Sequence, residues 1–212
     1  MSLSQIKRWF SLYGLLLSVA CGTGCGDIKR ISYEGFGRDG WQTPDKVIRS
    51  LELEEGDRVA DLGAGGGYFT FRLADAVGGG GKVYAADIDS NMIEHLQQRA
   101  RDEGYPNVEA VRGDVDDPLL PEDSLDLVFT CNTYHHLPDR IAYFARLKKY
   151  LRAGGRVVVI EFNGEGWFQK LFKHSTDAEV IRSEMQAAGY RQERSYDYLP
   201  RQHFLVFSKV GP

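Results

Sequence analysis

Cysteine is scarce in this chain of 212 residues: Cys21, Cys25 and Cys131 are the three. Two of them fall before residue 27, so the remainder holds one thiol and can form no internal disulfide. No Cys-x-x-Cys pair stands at zinc-ligand spacing from distant His or Cys partners, and no metal is expected. Positive charge is not in excess either. The net charge is −4, and residues 1–26 contain Lys7 and Arg8 but no acid, so the rest is more acidic than the whole. That balance argues against a protein that grips a nucleic-acid backbone, which favours a basic face. The apolar run Trp9 to Ala20 is short for a membrane span of roughly 20 residues. Two phosphate-binding signatures also fail. The sixth position of a Gly-x-Gly-x-x-Gly frame is Tyr68 counted from Gly63 and Thr70 counted from Gly65, so a dinucleotide fingerprint is missing, and no Gly-Lys-Ser or Gly-Lys-Thr closes a phosphate loop.

What is present begins with a leader. Lys7 and Arg8 precede the apolar run, and Ser18-Val19-Ala20 has the small-x-small form of a cleavage site. Cleavage there leaves Cys21 first, which resembles a bacterial lipoprotein signal, although Ser18 stands where an aliphatic residue is usual. Residues 1–26 are therefore read as a signal peptide or membrane anchor. The chain is expected to associate with a membrane through its N-terminus, as a lipoprotein or an exported protein. Residues 27–42 read as a Gly-rich linker and substrate-side arm, and residues 43–210 as one globular domain. With 42% hydrophobic and 26% charged residues the composition is that of an ordinary folded protein.

Along that domain strands and helices alternate. Thr43-Pro44-Asp45 reads as a capped helix start, followed by Val47, Ile48 and Leu51 on one face and Gly56 at the end. Strands are expected at Arg58–Leu62, Lys82–Ala86, Val108–Arg112, Leu125–Thr130 and Arg156–Phe162. Helices are expected at Phe69–Val77, Asn91–Glu103, Arg140–Leu151 and Asp177–Ala188, with Gly154-Gly155 closing the third of these. Tyr190–Tyr198 and His203–Lys209 form a closing hairpin across Leu199-Pro200-Arg201. The pattern predicts an open, doubly wound α/β sheet, whose ligands bind outside the carboxyl ends of the strands. Asp61, Asp87, Asp114 and Asn132 each fall at or just after such an end.

Five segments carry a family resemblance: Asp61-Leu62-Gly63-Ala64-Gly65-Gly66-Gly67, Val83 to Asp87, Gly113-Asp114, Leu125 to Val128, and Leu151 to Arg156. Together the chain resembles the class I S-adenosylmethionine-dependent methyltransferases, and within them the small-molecule enzymes related to quinone and arsenite methylation. The resemblance implies a Rossmann-like, mostly parallel seven-stranded sheet with a C-terminal antiparallel strand. It implies S-adenosyl-L-methionine as cofactor and a small, hydrophobic acceptor as partner. Cofactor contacts are then expected from Asp61, Gly63, Ala64, Gly65, Gly67, Asp87, Ile88, Asp114, Val115 and Asn132. In chemical terms Asp61 faces the ammonium and bare backbone at Gly63 and Gly65 makes room for the methionine portion. Asp87, 24 residues after Gly63, accepts from the ribose hydroxyls. Ile88 flanks the adenine, and Asp114 with the Val115 backbone meets its polar edge. Asp61 as a helix cap and Asp114 as part of a solvated acidic loop stay open as plainer readings.

Methyl transfer from a sulfonium is a direct displacement, so a base is needed only if the acceptor loses a proton. His135 and His136, in Asn132-Thr133-Tyr134-His135-His136-Leu137-Pro138, are the candidates, with His136 slightly preferred. Acceptor contacts are expected from Trp41, Tyr134 and Trp167, and more widely from Tyr33 to Gln42 and Gly164 to Ser175. Arsenite chemistry ranks low because no set of thiols is available to hold arsenic. Two other classes stay open: a tethered cofactor-binding protein without turnover and a nicotinamide oxidoreductase. No nucleic-acid partner is expected.

Overall fold

The structure, a computed structural model, describes residues 37–165 and 175–210. The leader, the arm up to residue 36, and Trp167, Phe168, Lys170, Leu171, Phe172 and Lys173 lie outside the described residues.

Seven strands form one sheet in the order β3-β2-β1-β4-β5-β7-β6. The central strands are β1 (Arg58–Leu62), β2 (Lys82–Asp87), β3 (Val108–Arg112), β4 (Leu125–Cys131) and β5 (Leu151–Phe162), all mutually parallel. A closing hairpin adds β6 (Tyr190–Tyr196) and β7 (Gln202–Lys209), and β7 runs antiparallel to both its neighbours. The helices are α1 (Arg38–Gln42), α2 (Pro44–Ser50), α3 (Thr70–Val77), α4 (Ser90–Asp102), α5 (Arg140–Leu147) and α6 (Ala178–Ala187). This is the doubly wound architecture expected, including the final antiparallel strand.

Side-chain alternation along each strand divides the core into two layers. Val59, Val83, Leu127, Phe129, Val158 and Ile160 face α2 and α3, where Val47, Leu51, Leu73 and Val77 are buried. Ala60, Leu62, Val128, Val157 and Val159 face α5 and α6, where Phe144, Leu147, Ile181 and Met185 are buried. Leu96 and Ala100 of α4 pack with Phe71 and Ala85 on the α3 side. β4 is buried at each residue from Leu125 to Thr130, and removing those apolar faces from water stabilises the fold by about 1.5–3 kcal/mol per large side chain. Because β1 lies between β2 and β4, the winding reverses there, and a crevice opens at the carboxyl ends of those strands.

Several element boundaries differ from the sequence reading. Thr43 does not cap α2: it is left-handed (φ 42°), makes no capping bond, and its hydroxyl is buried without a partner. Instead it joins α2 to α1, a helix where a linker was expected. α2 also ends at Ser50, well before Gly56. α5 ends at Leu147, and Gly154-Gly155 lies inside β5, which begins at Leu151. There the pairing with β4 jumps from Leu125–Leu151 to Leu127–Arg156, so the two glycines belong to a bulge in a strand and not to a helix end.

Candidate active site

The turn after β1 is built on left-handed backbone at Gly63 (φ 71°), Gly65 (φ 53°) and Gly67 (φ 86°). Side-chain-free residues are needed at two of these for packing as well. A Cβ at Gly63 would meet Thr133, whose Cγ2 and Cβ would be 2.5 and 2.8 Å away and whose Oγ1 would be nearer still. A Cβ at Gly67 would meet Phe71 at 2.6 Å and Leu96 at 2.9 Å, the helix-packing surface of α3 and α4. The sequence reading gave Gly63 to the ligand. The structure adds a protein neighbour, since the loop after β4 closes directly on this turn.

Asp87 ends β2 and its carboxylate is already engaged. Oδ2 accepts from the Gly65 backbone N at 2.9 Å and Oδ1 from Asp89 N at 3.0 Å. The same side chain therefore holds the glycine turn in shape, and each oxygen retains a lone pair for a further donor. Asp89 is the cap of α4, accepting from Asn91 N at 2.9 Å. Asp61 is buried, accepts from Thr70 Oγ1 at 2.7 Å, and does not cap α3. Burial raises its pKa from 3.8 to about 6, against the opposing Thr70 hydrogen bond and the charge of Arg38. A buried acid that resists ionising is one that gains from a cation placed against it.

At the crevice rim Ile88 and Val115 are 57% and 59% exposed, two apolar side chains held out beyond β2 and β3. Ala64 and Gly65 are buried, whereas Gly63 and Asp114 face solvent. Asp114 N donates to Asp117 O at 2.7 Å, which folds the acidic loop back on itself. Asn132 is left-handed (φ 57°), with its backbone N on Ile160 O at 2.8 Å and its side-chain oxygen accepting from Gln202 Nε2 at 2.7 Å.

Gln202 belongs to a buried polar cluster with no signal in the sequence. Gln42, fully buried, donates to Gln202 Oε1 at 3.0 Å and lies 3.0 Å from Cys131 Sγ. These bonds pin α1 across the strand ends. Arg38 of the same helix bonds Gln42, stacks 3.8 Å above the Tyr68 ring, and exerts its charge on Asp61 and Cys131. The Cys131 thiol is pushed up to about 11 by burial, so it is a poor thiolate, in keeping with the low rank given to arsenic chemistry. Trp41 stacks on Phe162 at 6.1 Å under the Arg201 guanidinium, giving an aromatic wall at the end of β5.

The two histidines differ sharply in setting. His135 is mostly buried and its Nδ1 lies 2.9 Å from Oε1 of Glu161, itself fully buried. His136 is exposed, with its ring 4.0 Å from that of His135. Tyr134, expected at the acceptor, is instead a core residue. It is fully buried, stacks on Phe144 at 5.3 Å, and donates to Glu184 of α6 at 2.8 Å. Arg38, Gln42, Thr133, Glu161 and Gln202 were all missed by sequence reasoning. For Glu161 alone a signal exists: an acid directly after the apolar run Val157-Val158-Val159-Ile160.

Among the described residues no group of His, Cys, Asp and Glu could hold a metal ion, and no helix is long and apolar enough to cross a membrane.

A family model described as a methyltransferase domain matches residues 53–198. Demethylmenaquinone methyltransferase of Bacillus subtilis (strain 168) is 26% identical over 117 residues, covering 55% of this chain and 50% of that protein. An uncharacterised 37.1 kDa protein in transposon TN4556 of Streptomyces fradiae is 33% identical over 137 residues, covering 65% of this chain and 38% of that protein. The chain thus spans half or less of the length of these relatives. In three dimensions it resembles a SAM-dependent methyltransferase from Aquifex aeolicus, with a TM-score of 0.80 at 23% identity over 86% of this chain and 97% of that one, a likeness of fold.

Proposed function

The chain belongs to the methyltransferase-domain family, the class I S-adenosylmethionine-dependent methyltransferases, and from that premise we propose that it transfers a methyl group to a small, hydrophobic acceptor by direct displacement. The observation that carries the reading is the left-handed glycine turn at 63–67 braced by Asp87, with buried Asp61 behind it. S-adenosylmethionine would supply an electrophilic methyl group on a positively charged sulfur. Asp61 would meet the ammonium, and Arg38, whose charge already reaches Asp61, the carboxylate of the amino-acid end. Asp87 would accept from the ribose hydroxyls with its remaining lone pairs. Ile88 and Val115 would cover the adenine, which accounts for two large apolar side chains left exposed at the crevice rim. Ala64, Gly65 and Asn132 would line the path between these ends. None of these residues offers a bed for a pyrophosphate, which weighs against the nicotinamide alternative.

On the acceptor side Trp41 and Phe162 supply an apolar face suited to a flat or lipid-like molecule. The printed names of the curated relatives make a demethylated menaquinone ring, in its reduced form, the first acceptor to try. Calorimetry with S-adenosylhomocysteine tests the cofactor half. We expect binding that Asp87→Ala weakens more than tenfold, through both ribose contacts and the loosened turn. Undiminished affinity in that variant overturns the reading.

A further inference from the structure

We infer that Glu161 is a positioning residue: it fixes which ring nitrogen of His135 is basic, and so makes His135, not His136, the proton acceptor at this site. The inference rests on the methyltransferase reading and specifies that the acceptor atom gives up a proton.

Glu161 occupies the end of β5 on the layer facing α5 and α6, where Val157 and Val159 are core residues. It is fully buried. An apolar side chain there would extend the core, whereas an isolated carboxylate costs several kcal/mol to bury, so its retention needs a compensating use. Among the described residues no Lys or Arg pairs with it. Its partners are His135 and one backbone group. Oε1 accepts from His135 Nδ1 at 2.9 Å and from Phe162 N at 2.8 Å, and Oε2 accepts from His135 N at 3.2 Å. The carboxylate therefore grips both the ring and the backbone of a single residue. With the proton on Nδ1 directed at the carboxylate, the ring's basic lone pair is the one on Nε2.

The position is also right. His135 follows Thr133 by two residues, and Thr133 is the residue against which Gly63 must stay bare. The other titratable neighbours are His136, ring to ring at 4.0 Å, and His203 of β7, which is paired across the ladder with Glu161 and feels its charge. Neither is recorded in a hydrogen bond with a carboxylate, and His136 faces solvent. In the proton step the acceptor's bond to hydrogen breaks, its electron pair stays on the acceptor atom and makes it nucleophilic, and the proton bonds to Nε2. The imidazolium formed faces the Glu161 carboxylate and later returns its proton to water. The same side chain could serve only to anchor the 132–136 loop through His135 N, and the test separates the two roles.

Long-range proton–nitrogen NMR of the full chain with ¹⁵N-labelled histidine, in the presence of S-adenosylhomocysteine, reads the tautomer directly, with His135→Gln identifying the signal. We expect neutral His135 to carry its proton on Nδ1 in the wild type. Glu161→Gln should reduce the Nδ1–H to Nε2–H ratio at least threefold, and Glu161→Asp should restore part of it. A wild-type ring protonated on Nε2, or a ratio unmoved by Glu161→Gln, overturns the proposal. The wild-type spectrum decides even if the variants do not fold. With reduced demethylmenaquinone as probe, Glu161→Gln should lower kcat by about 100-fold or more, the range of a lost general base, while KM and the S-adenosylhomocysteine Kd change less than twofold. An unchanged kcat overturns the proposal. If the wild type leaves that probe unmethylated, it is the acceptor assignment that fails, and the tautomer alone judges Glu161.

Discussion

Asp61 illustrates how one residue links burial, stability and ligand. Its carboxyl is raised to about 6, chiefly by burial, from an ordinary 3.8. An acid with a raised folded-state pKa binds more protons folded than unfolded, so its contribution falls as pH rises between those two values. At neutral pH the cost of holding it ionised amounts to at most about 3 kcal/mol. Asp61→Asn should therefore flatten the loss of melting temperature of the ligand-free protein between pH 4 and 6.5, while S-adenosylhomocysteine binds at least tenfold more weakly. Scanning fluorimetry across pH and calorimetry check the two halves. Gly63 makes the complementary point about space. Gly63→Ala combines positive φ with overlap onto Thr133, and about 1–3 kcal/mol of destabilisation is expected. Adding Thr133→Gly should return the steric part but not the conformational part, so chemical denaturation should show incomplete recovery.

At the level of elements, the loop after β4 is held from two directions. Thr133 rests on the glycine turn, while Tyr134 is tied to α6 through Glu184. Glu184 also takes two hydrogen bonds from Arg140 at the start of α5, both 2.7 Å. Burial acts to raise the Glu184 pKa, but the bonds from Arg140 and Tyr134 outweigh it and hold the carboxyl below its usual 4.5. Such a group stabilises the fold above its unfolded pKa, and that stability is lost as pH falls through the folded value. Glu184→Gln should cost about 1–3 kcal/mol at neutral pH and blunt the acid limb of the denaturation profile. Because Glu184 bonds the core side of the loop, S-adenosylhomocysteine affinity should stay within twofold. α1 is held differently, through Gln42 to Gln202 and Cys131, so a five-residue helix with little propensity of its own stays across the strand ends.

For the molecule as a whole, the leader carries a prediction independent of the catalytic reading. If Cys21 is the lipid-bearing residue, the full chain should sediment with membranes and Cys21→Ser should release it to the soluble fraction; mass spectrometry of the mature N-terminus identifies the modification. Much of the globular architecture was legible before any coordinates. β1 and β3 were read residue for residue and β2 and β4 to within one, because strands buried on both faces are near-continuous apolar runs ended by polar residues. Gly154-Gly155 was misread because nothing local separates a helix stop from a bulge; only the pairing of β5 with β4 does. Tyr134 was misread because its neighbours in sequence line the crevice while its ring turns into the core. The chain order of apolar runs, glycines and strand-end acids was enough to specify the sheet, the crevice and the residues at its rim, since side-chain period and backbone sterics are local properties. Which histidine has a carboxylate, and which glutamine bridges α1 to β7, depends on residues 26 and 160 positions apart meeting. That meeting exists only after the strands have paired, and it is decided by packing that no local pattern encodes.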